Sequence, residues 1–231
     1  LPVSTVELIA VWMLPVVFGI TVHEVAHGWM ALRLGDRTAQ MLGRLTLNPI
    51  RHIDPVGTIL VPAVLLVLGG FVFGWAKPVP VTWENLRRPQ RDMALVALAG
   101  PLANVLMAVI WLLVLLFGIA TQDSASMQGI ARGLVYMATA GILINTVLLV
   151  LNLLPVPPLD GSRVVAALLP RRLRAGYGRI EPFGLLILVV LIATGLLAPV
   201  MRPLMWGFFE ILFSFSDKGL RYFLWAMQVV S

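Results

Sequence analysis

Residues 6–34 read VELIAVWMLPVVFGITVHEVAHGWMALRL, and between Glu7 and Arg33 the only ionisable side chains are His23, Glu24 and His27. A run this apolar can cross a hydrocarbon core of about 30 Å as a helix. Residues four apart share a helix face, so His23 and His27 can turn two imidazole nitrogens toward one Zn²⁺. Glu24 stands beside them and can serve a water at that metal as general base, the chemistry that HExxH spacing supports. A carboxylate between two histidines is costly in hydrocarbon, so the cluster reads as a functional site. At about 1.5 Å per residue, His23 lies about 22 Å along the span counted from Leu8, nearer the membrane face where the helix ends.

The composition carries the same message outward. Of the 231 residues, 59% are hydrophobic and 12% charged. Such a chain is an all-α polytopic membrane protein and not a soluble domain with one buried helix. We expect about five to six transmembrane helices in one domain over residues 1–231, with a catalytic core at about 5–169 and C-terminal helices at about 180–231. With no cysteine, a metal must be held by His, Asp or Glu. The net charge of +6 does not point to nucleic acid. The arginines fall in membrane-flanking loops, where the positive-inside rule accounts for them.

Beyond the first helix, residues 35–55 are polar and irregular. TAQMLGRLTL (38–47) has Gly43 at a turn and suits a short hairpin. His52 sits between the turn signals Asn48-Pro49 and Asp54-Pro55, and reads either as an interfacial loop histidine or as a group near the metal or substrate. Residues 56–73 are apolar but interrupted by Pro62, Gly69 and Gly70. GWAKPVPV (74–81) is extended, because the residue before each proline is pushed toward the β region. It is either a linker anchored by Trp75 or an open edge onto which an unwound substrate adds, with Trp75, Lys77 and Val79 as contacts.

The apolar run at 93–120 carries Asn104, which either joins helices or supports the active site. Another run at 134–154 places Asn145 and Asn152 on one face, a polar seam inside a bundle. Prolines then break the helix before Asp160-Gly161. Asp160 either caps the next short helix or completes a two-His, one-carboxylate zinc site, which leaves a fourth position for water. Runs at 185–197 and 204–215 follow, then an amphipathic tail.

Metal and charge together select a topology. If 56–73 crossed the membrane, Asp160 would lie a membrane's width from His27. If it dips in and returns, both reach one depth. That re-entrant arrangement also gathers 13 of the 17 basic residues on one face, which is then cytoplasmic.

HEVAHG, AGPLAN and NLLPVPPLDG, in this order on three apolar segments, resemble the site-2 proteases, intramembrane zinc metalloproteases. LNPIRHIDPVGT and GWAKPVPV are similar to the compact bacterial subgroup that lacks a PDZ domain. The resemblance runs from the first helix to about residue 169. It implies one Zn²⁺ per chain held by His23, His27 and Asp160, with Glu24 as catalytic base. It implies regulated cleavage of single-span membrane proteins, such as anti-sigma factors or transcription-factor precursors, in the bacterial inner membrane. It also implies short membrane-associated β-strands near the substrate, for which 38–47 and 75–81 are the candidates. Asn104 or Asn152 is then placed to donate to a developing oxyanion. The alternative is a non-proteolytic zinc-binding membrane protein or a metal transporter. A transporter needs polar groups strung through both halves of the bilayer, whereas the ionisable groups here gather at one depth.

Overall fold

The computed structural model of the chain describes residues 4–61, 63–64, 74–124 and 126–230. Its helices are α1 (Thr5–Leu34), α2 (Thr38–Met41), α3 (Pro89–Thr121), α4 (Gln128–Leu153), α5 (Asp160–Leu168), α6 (Arg171–Gly178), α7 (Gly184–Ala193), α8 (Ala198–Leu212) and α9 (Asp217–Val230). Short 3₁₀ turns occupy Pro49–His52, Trp83–Asn85 and Glu181–Phe183, and a π-helical turn occupies Pro55–Leu60.

Among the described residues, four helical stretches are long and apolar enough to cross a membrane: Val6–Leu34, Pro89–Thr121, Gln128–Leu153 and Arg172–Ala193. On α3, Leu102, Leu106, Leu113 and Phe117 are exposed. Their spacing makes one helical stripe, a face suited to hydrocarbon and unfavourable in water. This is a membrane protein. The other expected spans fall elsewhere. Much of 56–73 lies outside the described residues, and α8, with 15 residues, is shorter than the roughly 20 that a span needs.

The expected strands are corrected among the described residues, where none forms. The first half of 38–47 is the helical turn α2, closed by Met41 N–H on the Arg37 carbonyl at 2.9 Å and Leu42 N–H on the Thr38 carbonyl at 3.1 Å, with Asp36 Oδ1 just ahead of it accepting from the Thr38 N–H at 3.0 Å. Gly43, at φ 62°, then reverses the chain. Residues 74–81 do run extended, yet their main-chain bonds go to scattered loop and side-chain partners and not to a ladder.

The chain groups into two compact units. One comprises Leu1–Gly19, Leu102–Leu151 and Val200–Ser231. Here glycines let helices close: a Cβ on Gly141 would collide with the Trp111 ring, and one on Gly118 would press on Val135 at 3.1 Å. Asn104 is fully buried and donates to Asn145 Oδ1 at 2.9 Å and to the Gly19 carbonyl at 3.4 Å. In lipid such an amide needs a partner, and this pair joins α1, α3 and α4. The tail packs as an amphipathic helix, burying Gly219, Phe223, Ala226 and Val230. The Phe223 ring centre lies 4.9 Å from that of Phe209 and 5.1 Å from that of Phe213, the rings tilted against one another.

The other unit comprises Ile20–Pro101 and Asn152–Pro199. Gly35, at φ 118°, ends α1 in a conformation that side chains rarely adopt. Asp36 then ties three pieces together. Besides Thr38, it accepts from the Thr82 N–H at 2.8 Å and from Asn85 Nδ2 at 3.0 Å. Burial pushes its carboxyl up, but the hydrogen bonds from Thr38, Asn85 and Thr82 outweigh burial and hold it below its ordinary value. The turn so anchored packs Val81, Trp83 and Leu86 with Ala31 of α1 and Val96 of α3. Farther back, Trp75 N–H donates to the Gly57 carbonyl at 3.0 Å, and Thr58 Oγ1 donates to the Trp75 carbonyl at 2.8 Å. The two ends of the segment 58–74 therefore touch.

Candidate metal centre and active site

Three chain segments of the second unit build the centre. The last four turns of α1 carry His23, Glu24 and His27. His27 Nδ1 lies 2.7 Å from the Val96 carbonyl on α3. A carbonyl has no proton, so Nδ1 donates, and in the neutral ring Nε2 is left with a bare lone pair. Gly100, one turn farther along α3, sits directly against the two rings: a Cβ there would lie 2.6 Å from His23 Nε2 and closer still to His27 Nε2. The glycine of AGPLAN is a cradle for the imidazoles.

Asp160 arrives from the distant end of the chain. The prolines after Leu154 prevent α4 from continuing, and Gly161 lets the first turn of α5 lie against the Leu153 and Leu154 carbonyls, where any Cβ would strike backbone. Asp160 opens α5, one residue past the cap position, which Leu159 holds. The Asp160 carboxylate turns to the histidines. Oδ2 lies 3.2 Å from His23 Nε2 and 3.2 Å from His27 Nε2, and the two Nε2 atoms are 3.0 Å apart.

These three atoms fit a metal. Ligand atoms about 2.0–2.1 Å from a tetrahedral zinc lie about 3.3–3.4 Å from one another, close to the spacing seen. Asp160 Oδ2 is buried with no hydrogen-bond partner among the described residues. A carboxylate oxygen and the His27 Nε2 lone pair converging on one point with a second imidazole is a donor set that a cation satisfies. Among the described residues, His23, His27 and Asp160 are the one group so arranged.

Glu24 points from the same helix to the extended segment. Its Oε2 accepts from the Val79 N–H at 2.8 Å. Val79 thus faces the site, while its neighbours hold the segment in place. Lys77 N–H donates to the His52 carbonyl at 2.9 Å, and Trp75 packs its ring on Gly57. His52 is buried, its Nε2 2.9 Å from the Thr46 carbonyl, so it braces this loop and stands outside the metal group. Asn104 donates to Asn145 Oδ1 and to the Gly19 carbonyl. Asn152 lies half-buried in the last turn of α4.

Two features of the site were not read from the sequence. Gly28, the last residue of HEVAHG, admits Leu45 and Val79, which a Cβ would meet at 2.6 and 2.7 Å. Arg44 is buried at 9% exposure and donates to the Lys77 carbonyl at 3.0 Å. Neither carries a signal in sequence beyond an unremarkable glycine and one loop arginine among many.

The model of peptidase family M50 matches residues 11–195. A Bacillus subtilis protein named "Putative zinc metalloprotease YwhC" is 40% identical over 195 residues, 84% of this chain and 84% of its own length. Proteins named "Putative zinc metalloprotease Rip2" are 31% identical in Mycolicibacterium smegmatis and 30% in Mycobacterium tuberculosis H37Rv. The alignments cover 91% and 94% of this chain and 73% and 76% of those relatives. No solved structure matches the chain significantly. With HEVAHG and the Asp160 turn brought to one point inside the matched region, the chain belongs to peptidase family M50, the site-2 proteases.

Proposed function

We propose that this chain is an intramembrane zinc endopeptidase in which His23, His27 and Asp160 hold one Zn²⁺ and Glu24 is the catalytic base. The observation that carries this reading is the convergence of three donor atoms, from two elements 133 residues apart in sequence (His27 to Asp160), beside a glutamate. Zinc bound there supplies a Lewis acid for the scissile carbonyl and acidifies a water. Glu24 takes the proton as the water oxygen adds to the peptide carbon. It returns the proton to the leaving nitrogen as the C–N bond breaks. A substrate helix satisfies its own carbonyls, so it must unwind locally before attack.

The substrates are single-span membrane proteins, of which anti-sigma factors and transcription-factor precursors are the type, cut in regulated fashion in a bacterial inner membrane. The touching ends at Gly57 and Trp75 support a segment that enters and leaves on one side. With that topology, the basic residues put the site toward the cytoplasm. Trp75 and Lys77, on the extended segment beside the site, are the proposed substrate contacts.

Zinc content and cleavage of a single-span test substrate, in wild type, Asp160→Ala and Glu24→Gln, test the reading. Asp160→Ala is expected to lose zinc, and Glu24→Gln to keep zinc and lose turnover. Zinc at full occupancy without Asp160 refutes the ligand set. Metal without cleavage in wild type favours a non-proteolytic zinc-binding protein or transporter.

A further inference from the structure

Residues 77–81 are Lys-Pro-Val-Pro-Val. Proline has no N–H, so Pro78 and Pro80 strip the donors on either side of Val79 and hold the backbone extended. Val79 is left as the lone main-chain donor in the middle of this strap, and its N–H is the one that reaches Glu24 Oε2, at 2.8 Å. What keeps the strap there is Arg44. Its Nη2 donates to the Lys77 carbonyl at 3.0 Å and to the Pro78 carbonyl at 3.4 Å, the two carbonyls immediately before the Val79 N–H. The described ion pairs give this buried guanidinium no carboxylate. Its charge is directed at two peptide dipoles. Lys77 N–H on the His52 carbonyl and Val79 packed on Gly28 complete the seat.

We propose that Arg44 is a positioning residue for the catalytic base: by gripping the carbonyls of Lys77 and Pro78 it sets the Val79 N–H on the Glu24 carboxylate. This rests on reading Glu24 as the base. A glutamate side chain has three rotatable bonds, and a general base must stand within about 2.6–3.2 Å of the atom whose proton it takes. One fixed N–H on Oε2 selects a carboxylate orientation and leaves the other oxygen for the water. Arg44 touches neither metal nor substrate in this scheme. It acts through the strap.

The test uses the full chain in proteoliposomes with a single-span substrate, and it reads kcat, KM and zinc content separately. Arg44→Ala is expected to lower kcat about 10- to 100-fold, the scale of a misplacement of about 1 Å, with a smaller rise in KM, since the strap also carries Lys77, and with zinc retained. Arg44→Lys is expected to recover part of the loss, since an ammonium can donate to carbonyls but without the planar fork. Val79→Pro removes the donor directly and supplies a second route should Arg44→Ala fold poorly. If both changes act through one hydrogen bond, the double variant is no slower than the slower single one. An unchanged kcat in Arg44→Ala, a loss lying wholly in KM, a loss of zinc, or multiplicative effects in the double variant each overturn the proposal. Glu24→Gln run alongside separates the two failures. If it is inactive while Arg44→Ala is unimpaired, only the positioning role falls; if it cleaves at the wild-type rate, the base assignment falls first.

Discussion

Replacing Gly100 by alanine sets two local effects against each other. Inside a helix such as α3, alanine is favoured over glycine by roughly 0.5–1 kcal/mol, so the metal-free protein should be as stable as wild type or slightly more. At the metal centre the sign reverses. The new methyl would lie 2.6 Å from His23 Cε1 and Nε2, where ordinary contact begins at 3.4 Å, so the ring must retreat by about 0.8 Å. His27 is nearer still, and its other nitrogen is tied to Val96 at 2.7 Å. Metal–ligand distances tolerate about ±0.2 Å. A disturbance of this kind to groups supporting a metal typically costs 10- to 100-fold in affinity, or about 1.4–2.8 kcal/mol. Competition against a chelator should therefore show zinc held at least about tenfold more weakly, while the metal-free melting temperature in detergent is unchanged or raised. Zinc affinity within about twofold of wild type would refute the close approach of Gly100 to the imidazoles.

Gly161→Ala should be more severe, because its Cβ meets the Leu153 and Leu154 carbonyls and no flexible side chain; α5 must shift, and zinc occupancy measured on the purified protein should fall with Asp160's displacement. Asn104→Ala strands Asn145 Oδ1 and should lower stability by about 0.6–2 kcal/mol, while zinc content stays at the wild-type level; zinc loss would support an active-site role for that amide. Asp36 has a folded-state pKa below its unfolded one. Its contribution is thus complete above the ordinary carboxylate range and is lost as pH falls through the folded value; hydrogen exchange at Thr82 and Asn85 should quicken on acidification, and in Asp36→Asn that acid-dependent step should be absent. The chain has no cysteine, so single cysteines at Arg37 and Gly176 can be labelled cleanly. Both should react from the same membrane face, and labelling from opposite faces would exclude the re-entrant topology.

Much of the site was legible because it is local. The His23–His27 pair depends only on the helical repeat, and the helix itself on an apolar run with no alternative in hydrocarbon. The apolar stretches of α3 and α4 were readable for the same reason. In sequence Asp160 fits a cap and a ligand alike, and its carboxylate's turn toward the histidines is visible only in the fold. The hairpin expected at 38–47 gives way to a helical turn, and Asp36, an ordinary residue after a helix in the sequence, is buried and ties Thr38 to Thr82 and Asn85 across the fold.

By itself, then, the sequence determined the solvent and the chemistry: hydrocarbon, from the length and apolarity of the runs, and a metal-and-carboxylate site, from residue types held in register by one helix. Tertiary structure decided everything that required distant residues to meet. The third donor of the candidate metal group comes from the first residue of α5, the cradle for the imidazoles from a missing Cβ on α3, and the partner of Glu24 from a peptide N–H that no side chain announces. Periodicity specifies which residues share a face of one element. Which main-chain groups come to face one another depends on how the elements fold back, through Gly43, Gly161 and the prolines between α4 and α5, and on a buried arginine whose loop position in sequence looks like any other.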